Sequence, residues 1–206
     1  CLPAHVAPPP VAEDDNDKEQ ADQRPSIWGE RRSQLIALIG FTFIMAEMAA
    51  ASWVPIAVTS SGASRARGAF TLSVFWVALT VGRLVGGFVV DRLGRHGTIL
   101  VSCAVGAIGI GCFAVSGHVE ISVLSYAGVI IWGFGIATGF PMAVSAISDD
   151  HDRASARINM IITVAYLSGL TVGPSLGSAG QLVGIYNAFL IPIALLLVSA
   201  GLSKIT

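Results

Sequence analysis

The feature that most constrains this chain is a recurring one: six stretches of about 20 mostly apolar residues, each long enough to cross a bilayer as an α-helix. They fall at 34–58, 68–90, 98–116, 121–147, 158–178 and 184–202. Lipid offers no partner to an open backbone N–H or C=O, so segments of this kind cross as helices. The pattern predicts an all-α, polytopic membrane protein with six transmembrane helices. Charged residues make up 12% of the chain, against roughly 25% in an ordinary soluble domain, which excludes a soluble globular enzyme. A count of 12 Lys and Arg against 13 Asp and Glu leaves no basic surplus to neutralise phosphates, so no nucleic acid is expected as a partner.

Nearly half of the charge lies between residues 11 and 33, from Glu13, Asp14 and Asp15 to Arg31 and Arg32. With Pro8, Pro9 and Pro10 ahead of it, this segment has too little apolar surface to offset ordering entropy. Residues 1–33 are therefore expected as a disordered linker and 34–206 as the helical bundle. The chain opens on Cys1 without a basic and apolar leader, the pattern expected of an internal piece of something longer. Cys103 and Cys112 sit in one apolar run and suggest neither a disulfide nor a metal site, and no cofactor is expected.

Short polar connections make neighbouring spans antiparallel. Lys18, Arg24, Arg31, Arg32, Arg92, Arg95, Arg153, Arg157 and Lys204 then gather on one side, with Arg65 and Arg67 alone on the other. The positive-inside rule makes the first side cytoplasmic. The expectation is a multi-pass protein of the cell inner (plasma) membrane with both chain ends in the cytoplasm. Glycines three or four residues apart, such as Gly82 and Gly86, suit close helix packing in lipid. Pro141 and Pro174 are candidates for broken-helix points.

The second span ends in Gly87-Phe-Val-Val-Asp91-Arg92-Leu-Gly94-Arg95-His96. Gly87 lets another helix pass close by, Asp91 can accept hydrogen bonds at a helix N-terminus, and Gly94 permits a tight turn. Arg92 and Arg95 belong at the membrane surface. These residues can form a breakable latch. The run resembles the cytoplasmic loop of the major facilitator superfamily, G-x-x-x-D-R-x-G-R-[RK], with His96 in place of its last basic residue.

That resemblance implies a fold of two six-helix bundles, each a pair of inverted three-helix repeats, with substrate held between the bundles. A polar linker followed by six spans, with the motif after the second, implies the C-terminal half, helices seven to twelve. The partner helix for Asp91 would then belong to the missing N-terminal half, or to a second copy. The implied activity is secondary transport of a small solute by alternating access, coupled to protons.

Two charged residues fall well inside the spans, Glu47 and Arg83. Each is costly in hydrocarbon and should face protein or a water-filled cavity. Glu47 could carry a coupling proton while Arg83 tunes it or binds substrate. Equally, the two could form a fixed ion pair, or Arg83 could reach toward Asp91, two turns away on its own helix. Trp132, Asn159, Thr163 and Tyr166 are further substrate candidates, the last three sharing a helix face through spacings of four and three. Trp53 and Tyr186, near span ends, suit interface anchors.

Other classes fit less well. An intramembrane serine protease needs a membrane-embedded histidine, whereas His5, His96, His118 and His151 all lie in the tail or loops, so no catalytic residue is assigned. There is no Asn-Pro-Ala channel triplet and no ATP-binding glycine loop. A non-transporting six-span membrane scaffold or a pseudogene remnant is the remaining alternative.

Overall fold

The computed structural model describes residues 27–119, 122–149 and 153–205. Most of the expected linker, including Cys1, Lys18 and Arg24, lies outside them. Among the described residues the structure is helical throughout, in the order α1 (Arg31–Ser60), α2 (Arg65–Val119), α3 (Ser122–Ile136), α4 (Gly139–Ile147), α5 (Ala154–Val183), α6 (Ile185–Ala188) and α7 (Leu190–Leu202). Short 3-10 turns at Ile27–Gly29 and Ser203–Ile205 flank them.

Five tracts are long and apolar enough to cross a membrane, where the sequence predicted six. The difference lies in α2, whose 55 residues are broken at Gly94 (φ 67°, ψ 176°). Packing against α3 gives the direction of each arm. Along the first arm, Phe70 meets Tyr126, Phe75 meets Trp132 and Gly82 meets Ala137, so that arm runs parallel to α3. Along the second, Ser102 bonds Thr138, Gly109 meets Trp132 and Ser116 bonds Ser125, so this arm runs the opposite way. The tract is therefore a hairpin folded at Gly94. The expected loop at 91–97 is helical apart from that one glycine.

The remaining directions follow from contacts of the same kind. Glu47 with Arg83 and Pro55 with Gly68 set α1 antiparallel to the first arm. Gly40 with Ile161 and Trp53 with Gly177 set α1 parallel to α5. Gly117 with Tyr186 and Gly106 with Leu196 set the second arm antiparallel to α6 and α7. Neighbours approach to backbone contact where glycine removes the side chain: a Cβ on Gly109 would lie 2.2 Å from the Trp132 nitrogen, and one on Gly133 2.6 Å from the Phe75 carbonyl oxygen. Such approach replaces the hydrophobic drive that helices in lipid lack. A buried aromatic cluster of Phe75, Phe113, Trp132 and Phe189 fills the space around these contacts.

The two prolines behave differently. The tract Ser122–Ile147 stays one apolar span but is interrupted at 137–138, between α3 and α4, with the expected break point Pro141 just beyond, whereas α5 continues through Pro174, where a break was also expected. Ahead of residue 34, Ile27–Gly29 forms a turn, and α1 starts at Arg31 behind Glu30, which accepts a hydrogen bond from Ser33 at 2.8 Å.

Candidate functional site

Glu47 stands near the middle of α1 and Arg83 near the middle of the first arm of α2, because antiparallel packing lays those helix centres side by side. Arg83 Nη2 donates to Glu47 Oε2 at 2.9 Å. The carboxylate side chain is 12% exposed and the guanidinium side chain 48%, so the pair has a sheltered acid and an open base. Of the arrangements that the sequence left open, the structure contains the pair and not the reach toward Asp91.

A cavity of about 290 Å³ begins at Arg83 and ends at Asp91, passing Gly86, Thr138 and Pro141 at the break between α3 and α4. Gly86 matters for its shape, since a Cβ there would lie 2.2 Å from the Thr138 methyl carbon. Gly87 has open space where its side chain would be. Asp91 and Arg92 are exposed and make no ion pair among the described residues. Mid-bundle charge and the turn motif thus border one recess.

Arg95, immediately past Gly94, behaves differently. Its guanidinium donates to both carboxylate oxygens of Asp149, with Nη2 at 2.7 Å. Arg32 approaches the same carboxylate at 3.5 Å. Beside it, Glu30 accepts from Arg153 at 3.2 Å and from Arg157 at 3.0 Å. Two acids therefore tie the start of α1, the α2 turn and the α4–α5 junction together at one end of the bundle. Hydrogen bonding from Arg95 holds the Asp149 carboxyl below its ordinary value, aided by the charges of Arg95 and Arg32 and opposed by partial burial. The Glu30 carboxyl is lowered chiefly by Ser33, against desolvation, with Arg157 and Arg153 adding to the effect. Asp149 and Glu30 were missed in the sequence. Their position next to helix ends on the arginine-rich side was the available signal.

The polar candidates separate. Asn159, Thr163 and Tyr166 share the open face of α5, where Thr163 donates to the Asn159 carbonyl at 2.8 Å and Tyr166 is 75% exposed. No hydrogen bond or ion pair among the described residues joins them to Glu47 or Arg83, which meet on the other flank of α1. Trp132 is fully buried in the aromatic cluster and meets no open surface, so its place is in the core. Tyr186 is also buried, its hydroxyl donating to the Ala57 carbonyl at 2.9 Å, rather than standing as an interface anchor. Among the described residues no group of three or more His, Cys, Asp or Glu gathers to hold a metal ion.

Comparison with known proteins gives concordant results. A family model described as Major Facilitator Superfamily matches residues 2–174. An uncharacterized MFS-type transporter of Yersinia pestis is 29% identical over 175 residues, covering 83% of this chain and 44% of its own length. Among solved structures, the MFS transporter FucP in its outward conformation superposes with a TM-score of 0.74 at 17% identity, over 84% of this chain and 42% of that one. A peptide transporter, POT, in complex with alafosfalin, gives a TM-score of 0.72 at 16% identity, over 88% and 39%. The chain spans under half the length of each of these relatives.

Proposed function

Since this chain belongs to the Major Facilitator Superfamily, we propose that its bundle is the C-terminal half of a secondary transporter that moves a small solute by alternating access, coupled to protons. The α2 hairpin would cross the membrane twice and the four other apolar tracts once each, giving six passes that correspond to helices seven to twelve. In this reading 34–206 is the transporting bundle and the segment before it the central cytoplasmic linker.

The observation that carries the proposal is the Glu47–Arg83 pair, a sheltered carboxylate on an open guanidinium midway along two crossing helices. A charge at that depth is costly in hydrocarbon unless it is paired or faces water, and residues of this kind mark substrate, ion or proton pathways. Glu47 carries the proton: when it is protonated, Arg83 is released to a substrate group, and when it is charged, the pair re-forms. Asn159, Thr163 and Tyr166, open on α5, supply hydrogen bonds and a ring to a solute held against the opposing half. Gly87, Asp91, Arg92, Gly94 and Arg95 form the gate loop, with Arg95 anchored to Asp149 and Asp91 left to engage the other bundle.

The test is solute uptake into proteoliposomes by the complete transporter containing this half, with and without an imposed pH gradient, alongside Glu47→Gln. Loss of gradient-driven uptake with solute exchange retained is the expected result. Unchanged gradient-driven uptake in the variant would assign Glu47 to the scaffold.

A further inference from the structure

The contact between α1 and α5 contains an unpaired donor. Trp53, near the end of α1, turns the edge of its six-membered ring onto α5, where a Cβ on Gly177 would lie 3.4 Å from its Cη2. The indole Nε1 is buried and has no hydrogen-bond partner among the described residues. A buried N–H left unpaired is costly and uncommon in folded proteins, so an arrangement that pairs it gains stability.

The facing helix carries a matching acceptor. Pro174 has no N–H, so the Leu170 carbonyl, four residues earlier, lacks the donor that a helix would otherwise supply. Hydroxyls along this stretch go elsewhere: Ser168 donates to Ala165, Thr171 to Ser168, Ser175 to Thr171 and Ser178 to Pro174, each to a backbone carbonyl. Gly169, Gly173 and Gly177 repeat every four residues on one face of α5. The outer two are occupied. A Cβ on Gly169 would lie 3.9 Å from Met48 and one on Gly177 would meet Trp53, whereas one on Gly173 would have nothing within 4 Å. An open notch therefore lies one turn, about 6 Å, from the seat of the indole, beside the Leu170 carbonyl.

We propose that Trp53 is a two-position catch between α1 and α5. Seated on Gly177, as here, it holds the part of α5 beyond Pro174 against α1 with its N–H unpaired. Seated on Gly173, it donates to the Leu170 carbonyl and leaves that part free to bend at Pro174, where the missing hydrogen bond weakens the helix. One seat offers close packing and the other a hydrogen bond, which are the makings of a bistable element. The end of the bundle opposite Gly94 can thereby loosen while the Glu47–Arg83 pair, on the other flank of α1, stays in place.

The test is proton–nitrogen correlation spectroscopy of the indole groups in the complete transporter containing this half, in detergent, with the Trp53 signal identified by its loss in Trp53→Phe. A hydrogen-bonded indole proton resonates downfield of an unbonded one. Wild type is expected to show two Trp53 signals, or one averaged between the limits that the variants set. Gly173→Leu, which fills the notch, and Pro174→Ala, which returns a donor to Leu170, should each leave only the upfield signal. Gly177→Leu, which crowds the present seat, should leave the downfield one. Each variant places a helix-favouring residue in α5, and monodisperse elution with helical circular dichroism shows that it is folded. Pro174→Ala adds no bulk beside the ring and decides the matter should a leucine variant fail to fold. A single wild-type position unmoved by Gly173→Leu and Pro174→Ala overturns the proposal, whether water satisfies the N–H or the opposing half fills the notch. Movement in the same direction by Gly173→Leu and Gly177→Leu overturns it too. No solute enters the measurement, so the catch stands or falls separately from the transport reading.

Discussion

Asp149 receives Arg95 through both of its oxygens and Arg32 through one, so it bears more of the charged end of the bundle than any residue of the turn motif. Because its folded pKa lies below the unfolded value of about 3.9, its contribution is present at neutral pH and is lost as pH falls through the folded pKa. Glu30 has the same sign. Melting temperature in detergent should therefore fall as pH drops below about 4, and Asp149→Asn should be less stable at pH 7 while losing less on acidification. The Asp149 pairs are half open to solvent, so the loss at pH 7 is expected near the 0.2–1 kcal/mol of exposed ion pairs. An Asp149→Asn curve parallel to wild type would remove Asp149 from the pH dependence. For Glu47 and Arg83 a different comparison applies. Removing one member strands the other at mid-span, at a cost between the roughly 1 kcal/mol of an exposed pair and the roughly 3–5 kcal/mol of a buried one. Arg83→Gln alone should melt lower than the Glu47→Gln, Arg83→Gln double variant. Additive losses would mean that the pair does not couple.

The α2 hairpin depends on one residue at the element scale. Gly94 combines φ 67° with ψ 176°, a region open in practice to glycine alone, and space around it is free, so conformation and not crowding excludes a side chain. Gly94→Ala should cost about 1–3 kcal/mol. Gly109 makes the complementary case, with ordinary helical geometry but backbone of Trp132 at 2.2 Å from where a Cβ would stand. Gly109→Ala must push α3 off the second arm, while Gly111→Ala, with nothing within 4 Å, should melt at or above wild type. Equal melting of the Gly109 and Gly111 variants would refute the close approach. These elements also show how far the sequence could be read. Apolar length located the five tracts long and apolar enough to cross a membrane but divided the 55-residue one in two, and Glu47 and Arg83 stood out as the charges inside spans. The helical character of 91–97 was hidden because polar residues at a water-facing end signal a loop and a helix terminus alike. The break at 137–138 begins four residues before Pro141, whose ring removes the hydrogen bond to the Ala137 carbonyl, so it had a local signal. The contacts that seat it, the Gly82–Gly86 ridge against Ala137 and Thr138 and the Ser102–Thr138 hydrogen bond at 2.8 Å, had none. Pairing of Arg95 with Asp149 crosses 54 positions and is equally silent in a single chain.

At the scale of the molecule, the contacts fix every helix direction relative to the others, so one orientation measurement decides the whole topology. Arg32, Arg95, Arg153 and Arg157 are held at one end through Asp149 and Glu30, and Arg65 and Arg67 begin α2 at the other. Ion pairing does not cancel the bias, because acidic residues contribute little to the positive-inside rule. The arginine-rich end should therefore face the cytoplasm, and with it the start of α1 and the Gly94 turn. After Cys1, Cys103 and Cys112 are changed to serine, Ser64→Cys reports one end and Gln34→Cys the other, both being exposed and uncharged positions. A membrane-impermeant maleimide should label Ser64→Cys in intact cells and Gln34→Cys only after permeabilisation. The reverse pattern would invert the bundle, placing the Gly94 turn outside, and the proton proposed for Glu47 would then have to arrive from the opposite side of the membrane.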